Sequence, residues 1–287
     1  MLKLLMSFVL ITFAADNALS KDIERTFKVS VNPVIDFETN AGPIFIEGSD
    51  RKDVKLTVSG WGVSDDNVTL ESSTKGKELI IRARIKGGNG NVRYQLEVPK
   101  ISGVKIRTAG GSLHIENIRG NVAGETRGGS IHMEKISGRA VVKSRGGSLH
   151  LEDVSGDIDV ETNGGSIHAE RSEGKLKFTT NGGSMNLEKV AGELKAETGG
   201  GSMNVSMDQP IKKGIRLRTG GGNIVLQLPS SADVSLDAST GFGKVLLFDR
   251  DKKLLKSVDR RLSYKLKNGK VPVDISTGAG SIEIFSR

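Results

Sequence analysis

The motif Gly-Gly-Ser followed by an apolar residue returns at Gly110, Gly128, Gly146, Gly164, Gly182 and Gly200, each step being 18 residues. A period this short limits the chain to folds in which one unit, unable to bury its own apolar face, stacks on copies of itself. With the first glycine of a unit as position 0, apolar side chains recur at 3 and 5 (Leu149 and Leu151 in the third unit), at 8 (Val154), and at 12 and 14 (Ile158 and Val160). Alternation at 3, 5 and again at 12, 14 has the period of two of strands with one buried face. Parity changes between 5 and 8 and across the glycine pair, and a strand cannot change parity without a corner. Each unit therefore holds two strands and two bends, and reads as one full coil of a parallel β-solenoid. Glycine is expected at the corners because it accepts positive φ without steric cost.

Two other β-helical repeats fail on the spacing. A triangular helix of hexapeptides needs apolar residues at 3, 9 and 15, where the third unit has Ser155 and Glu161 at the last two. The calcium-binding roll needs a third glycine and an aspartate ligand, and those slots hold Leu149 and Leu151. The solenoid is expected to stand without calcium or any cofactor.

The rest of the chain extends the pattern at both ends. TNAGPIFIEG (39–48) matches the repeat and makes an early coil, VKLTVSGWG (54–62) and ELIIRARI (78–85) read as strands, and KGGNGN (86–91) is a turn cluster. Beyond Gly200, Thr198, Thr219 and Thr240 are 21 apart and Thr277 follows after 37, so the later coils are longer. The expected architecture is all-β: a single β-solenoid domain over 21–287, with irregular N-terminal coils at 27–109, regular coils at 110–205 and looser coils at 206–287. The segment 250–270 is an excursion from the last coil, as a hairpin or short helix. Residues 1–20 (MLKLLMSFVLITFAADNALS) place Lys3 before an apolar run of about a dozen residues and end in small residues, the pattern of a secretory signal peptide. The run is shorter than the ~20 residues of a membrane span, and no later stretch is apolar enough for one. The mature protein is expected in the periplasm, on the cell surface or secreted.

Repeated Thr-x-Gly-Gly-Ser-apolar-x-apolar units behind a signal peptide, introduced by YQLEVPK (94–100), resemble the bacterial adhesin-like domain of unknown function. The resemblance covers roughly Phe27 to Phe285. It implies a β-helical envelope protein and brings no catalytic residues with it.

Columns in the repeat become candidate chemistry. All four histidines, His114, His132, His150 and His168, stand at position 4, with Asn186 and Asn204 continuing the column, and Glu116, Glu134, Glu152, Glu170 and Glu188 stand at position 6. Both positions flank the inward residue at 5, so they point outward side by side. The reading adopted is a solvated face on which imidazoles offset part of the glutamate repulsion. Divalent-metal binding through His and Glu of adjacent coils is the alternative, since both are zinc or copper ligands. A hydroxyl column at position 16, Thr126, Ser144, Thr162, Thr180 and Thr198, is expected to cap backbone before each glycine pair.

Net charge is +8, and much of it is local: nine basic residues fall between Arg250 and Lys270 against Asp251 and Asp259. Lys252, Lys253, Lys256, Arg260, Arg261, Lys265 and Lys267 are the candidate contacts for an anionic envelope polysaccharide, lipid headgroups or another envelope protein. Nucleic acid is disfavoured by the export signal and the lack of an aromatic platform beside the charge. Cysteine is absent, which excludes disulfides, thiol chemistry and a lipoprotein attachment. A polysaccharide-active enzyme would need carboxylates converging in a groove, whereas the acids here form regular ladders. The sequence therefore points to a non-enzymatic binding or scaffold module, with a polysaccharide-active β-helix enzyme as the alternative.

Overall fold

The structure, a computed structural model, describes residues 22–61, 63, 64, 66–86 and 91–286. The expected signal peptide, residues 1–20, lies outside the described residues, as does most of the turn cluster at 86–91. Among the described residues there is no helix, and strands joined by short turns form one mixed sheet. Among the described residues no helix is long and apolar enough to cross a membrane.

Through the regular stretch, residues 18 apart are parallel register partners: Leu113 with Ile131, Ile131 with Leu149, Leu149 with Ile167. Each of these four is 1% exposed. Val122, Ala140, Ile158 and Leu176 form a second buried file in the same way. Each aliphatic side chain thus packs on its own copy one layer above and below, and full burial of such a side chain is worth about 1.5–3 kcal/mol. Past Gly200 the offset becomes 21, with Met203 facing Ile224 and Thr198 facing Thr219. Strand structure continues across the first bend, between positions 5 and 8, so that Ile131–Ser144 and Leu149–Thr162 are single 14-residue strands where two were expected.

The glycine pair has a different cause from the one expected. No glycine of the pairs has positive φ. Left-handed backbone occurs instead at Gly138, Gly156, Gly174 and Gly192, and at the non-glycine column Asn117, Lys135, Asp153, Arg171 and Lys189, position 7, with φ between 50° and 61°. What the pair requires is room: a Cβ on Gly147 would stand 2.0 Å from the Gly129 carbonyl oxygen, and one on Gly165 would stand 2.2 Å from that of Gly147. Layers touch backbone to backbone at this corner. The buried hydroxyl beside it completes the contact. Thr162 Oγ1 donates to the Gly147 carbonyl one layer back at 2.8 Å and accepts from the Gly165 N–H at 3.4 Å. Ser144 makes the same two bonds to Gly129 and Gly147 at 2.9 and 3.0 Å.

At both ends the order of layers in space departs from their order in the chain. Val34–Thr39 lies between Glu78–Ile85 and Gly103–Thr108, parallel to both, and Ile44–Ser49 lies between Asn91–Pro99 and Leu113–Glu116. At the other end Val271–Ala279 lies between Ile215–Thr219 and Val234–Phe248, and Ile282–Ser286 lies between Ile224–Leu228 and the second half of Val234–Phe248. Antiparallel strands close the stack. Val68–Lys75 pairs with Glu78–Ile85, Asp53–Trp61 with Asn91–Pro99, and Ile23–Lys28 with Asp53–Trp61. At the far end Leu254–Lys265 runs antiparallel along Val234–Phe248. The basic segment is therefore one arm of a hairpin, and the helical alternative does not hold.

Candidate functional site

The histidine and glutamate columns lie on the outer side of one sheet face. His114, His132, His150 and His168 are successive register partners. Their rings stack nearly parallel, with centroids 4.6, 4.8 and 4.8 Å apart and interplanar angles of 11°, 8° and 16°. The stack is longer than the histidines alone. Phe45 continues it at 5.7 Å from His114, and the Arg93 guanidinium sits 5.0 Å from the Phe45 ring centroid. At the other end Asn186 Nδ2 stands 3.2 Å from His168 Nδ1, and Asn204 donates to Asn186 at 3.1 Å. Phe45 takes the histidine's place in the early coil TNAGPIFIEG (39–48), whereas Arg93 belongs to a layer outside the 18-residue register.

The glutamates are balanced chiefly by the left-handed residues at position 7, where imidazole was expected to serve. His114 and His132 Nε2 lie 3.9 Å from Glu116 and Glu134. Lys135 pairs closely with Glu134 and reaches Glu116 at 3.7 Å. Arg171 gathers Glu152, Glu170 and Asp153, the last at 2.7 Å, and Lys189 reaches Glu170 at 3.4 Å. The Arg171 guanidinium is held above its ordinary pKa, first by its hydrogen bond to Asp153 and then by Glu152 and the surrounding carboxylates. At Lys135, Arg171 and Lys189 the residue that turns the strand at the first bend thus also supplies positive charge to Glu116, Glu134, Glu152 and Glu170. The sequence signal for it was a polar or charged residue directly after each glutamate (Asn117, Lys135, Asp153, Arg171 and Lys189), at the step where the apolar alternation changes parity.

Stacking governs what the histidines can do. Imidazole lone pairs lie in the ring plane, so an ion held by one ring of the parallel stack sits a full layer from the plane of the next. Among the described residues no group of three or more His, Asp or Glu could hold a metal ion. The same stacking makes charge costly. His132 is held below its ordinary pKa of 6.5, first by burial and then by the neighbouring His114 and His150, while Glu134 and Glu152 oppose the shift. As pH falls through 6.5 the unfolded chain takes up this proton and the folded chain does not, so stability present above about pH 6.5 is lost as pH falls toward the folded value. Thermal unfolding is expected to come earlier at pH 5.5 than at pH 7.5. His132→Asn, which puts at this position the residue that follows the histidines at Asn186, is expected to shrink that difference. An equal pH dependence in both proteins would remove the histidine stack as its source.

The basic residues do not gather into one patch. Lys252 and Lys253 stand in the turn that Asp249 organises, its carbonyl accepting from the Lys252 N–H and its carboxylate from the Lys253 N–H. Lys256 places its ammonium 5.5 Å from the Tyr264 ring centroid, over the end of the core. Arg261 pairs with Asp237 at 2.7 Å, and Lys267 donates to the Ser230 carbonyl at 3.1 Å. Lys252, Lys253, Arg260 and Lys265 are exposed and have no carboxylate partner among the described residues. Sequence reasoning also passed over Arg82, Arg84, Arg107 and Arg127, which line a cavity near the opposite end of the stack.

Solved structures similar to this chain include two from bacteria. A candidate cell adhesion protein from Clostridium sporogenes is 13% identical, covers 93% of this chain and 99% of its own, and has a TM-score of 0.24. A candidate adhesin from Bacteroides fragilis is 14% identical, covers 92% and 97%, and has a TM-score of 0.45. Likenesses this weak transfer no activity. No curated protein matches the chain. The family model described as Toastrack DUF4097 matches residues 33–285, from the inserted first layer to the last, and the chain belongs to that family of unknown function.

Proposed function

We propose that this protein is a non-enzymatic binding or scaffold module of the bacterial cell envelope, exported behind residues 1–20. In this reading its layers are successive closed coils of a solenoid, and its basic end strand engages anionic polysaccharide or lipid headgroups. The observation that carries the proposal is the unbalanced charge of Arg260 and Lys265 on a strand whose outer edge pairs with nothing among the described residues, and of Lys252 and Lys253 in the turn that leads into it. An edge strand studded with lysine and arginine resists pairing with a second stack, and the same charge creates a local field that concentrates polyanions. Such attraction is screened beyond about 8 Å at physiological ionic strength, so it is expected to be strongly salt-dependent.

The test is co-sedimentation of the protein with polygalacturonate and with vesicles containing phosphatidylglycerol, at low and moderate salt. Neutralising Arg260, Arg261, Lys265 and Lys267 to glutamine is expected to weaken binding at least tenfold at low salt. Binding that ignores both salt and these changes would sink the proposal. Release of new reducing ends from the polysaccharide would favour the enzyme reading.

A further inference from the structure

Near the end of the stack opposite the basic hairpin, four arginines surround a cavity of about 330 Å³, at the lower end of the ~300–1,000 Å³ of small-molecule sites. Two of the four are splinted in place. Asp36 is 8% exposed and accepts from Arg82 Nη1 at 2.9 Å and from Arg107 Nη2 at 2.9 and 3.2 Å. Glu38 lies 3.4 Å from Arg82 Nε and 3.5 Å from Arg107 Nε. Arg82 and Arg107 come from the layers on either side of Val34–Thr39, so the inserted layer supplies the two carboxylates that hold them. This leaves Arg82 Nη2 and Arg107 Nη1 without a partner among the described residues. Burial works against the charge of Arg107, and the carboxylates of Asp36 and Glu38 outweigh it, keeping the guanidinium fully charged.

The other two arginines are free. Ala83, Thr39, Thr108, Thr126 and Ser144 are successive register partners, and the residue after each is Arg84, Asn40, Ala109, Arg127 and Arg145. Asn40 is turned to the backbone, its amide exchanging bonds of 3.1 and 3.0 Å with Ile85. Ala109 is short where the later layers carry Arg145, Asn163 and Asn181. The column is therefore hollow between Arg84 and Arg127, which stand three layers or about 14 Å apart at the usual strand spacing. Both are exposed and have no ion-pair partner among the described residues. Glu125, also on the rim, lies one layer from each of Arg107 and Lys143, its register partners on either side.

We propose that this cavity binds a sugar-sized molecule bearing an oxyanion, a carboxylate or a phosphate. Arg84 and Arg127 close on it from either end, and the unused N–H groups of Arg82 and Arg107 meet the anion. Guanidinium presents paired donors in a rigid fork suited to both groups, and Arg82 and Arg107, already fixed by Asp36 and Glu38, lose little side-chain freedom on binding. The site shares no residue with the basic hairpin, and its test is independent of the proposal made for that strand.

Calorimetric titration with glucuronate, glucose 6-phosphate and glucose separates the outcomes. The intact protein is expected to bind one equivalent of at least one of the two anions, and whichever binds more tightly identifies carboxylate or phosphate as the natural group. Glucose alone is expected to show no saturable binding. Arg84→Gln with Arg127→Gln is expected to weaken the anion at least tenfold. Ala109→Asn, which refills the column without changing charge, is expected to weaken it comparably while the melting temperature holds. Arg261→Gln with Lys265→Gln in the hairpin is expected to leave it unchanged. Failure of both anions to saturate the intact protein, or affinity unmoved by the arginine pair and by Ala109→Asn, overturns the site.

Discussion

Gly147→Ala is expected to cost at least about 3 kcal/mol, the upper end of overpacking penalties, while Gly146→Ala is expected to stay within about 0.5 kcal/mol of the parent. The two glycines are adjacent and read identically in the repeat. Their surroundings differ. A Cβ on Gly147 would fall 2.0 Å from the Gly129 carbonyl oxygen, 2.3 Å from its carbon and 2.5 Å from Ser130 N, all backbone atoms that belong to the ladder. A Cβ on Gly146 would meet nothing nearer than 4.0 Å. Relief at Gly147 requires one layer to lift from the next, and the aliphatic files at positions 3, 5, 12 and 14 would lift with it. Urea unfolding followed by circular dichroism reads both variants. Equal, small effects would mean that the layers do not meet backbone to backbone at this corner.

Thr162→Val is expected to be nearly as damaging, at about 2–4 kcal/mol, because one isosteric change leaves two buried backbone groups unmade and each such group costs about 1–3 kcal/mol. The carbonyl of Gly147 loses its 2.8 Å donor and the N–H of Gly165 loses its acceptor. Thr162→Ser is the control. Ser144 already fills the same place one layer back with the same two bonds, so the serine variant is expected within about 1 kcal/mol of the parent. Hydrogen exchange at the Gly165 amide gives a local readout: faster in the valine variant, unchanged in the serine one. A valine protein as stable as the serine protein would show that the hydroxyl column only fills space.

These corners also show how far the repeat could be read. Period and parity were enough to assign the files of Leu149 and Ile158, the outward histidines and the inward hydroxyls, because all of them depend only on which residue lies over which. The reason for the glycine pair was not legible, since a close approach between chain segments leaves the same residue type behind as a positive φ does. Position 7 was opaque for the opposite reason. Lys135, Arg171 and Lys189 are poor advertisements for left-handed backbone, and only the folded chain reveals the bend. The arginine cavity lay furthest out of reach. Asp36 and Arg107 are 71 residues apart and Asp36 and Arg82 are 46 apart, separations with no period behind them. The hairpin was legible in charge but not in direction, because LLKSVDRRLSYKL (254–266) alternates too loosely to separate strand from helix.

The inserted layers set an order of assembly. A ribosome delivers residues 234–248 before residues 271–286, yet in the finished protein the later segment lies beneath the earlier one. Until it arrives, Ile215–Thr219 presents a bare parallel edge whose eventual partner, starting at Val273, lies 58 residues further on from Ile215. Closing a loop of that length is slow relative to stacking the 18-residue neighbours, so the nascent rod waits with one end open while its middle is already formed. A chain truncated before Val271 would not be a shorter rod. It would be a rod with a detached lid, because among the described residues Val234–Phe248 and its hairpin partner rest on nothing else.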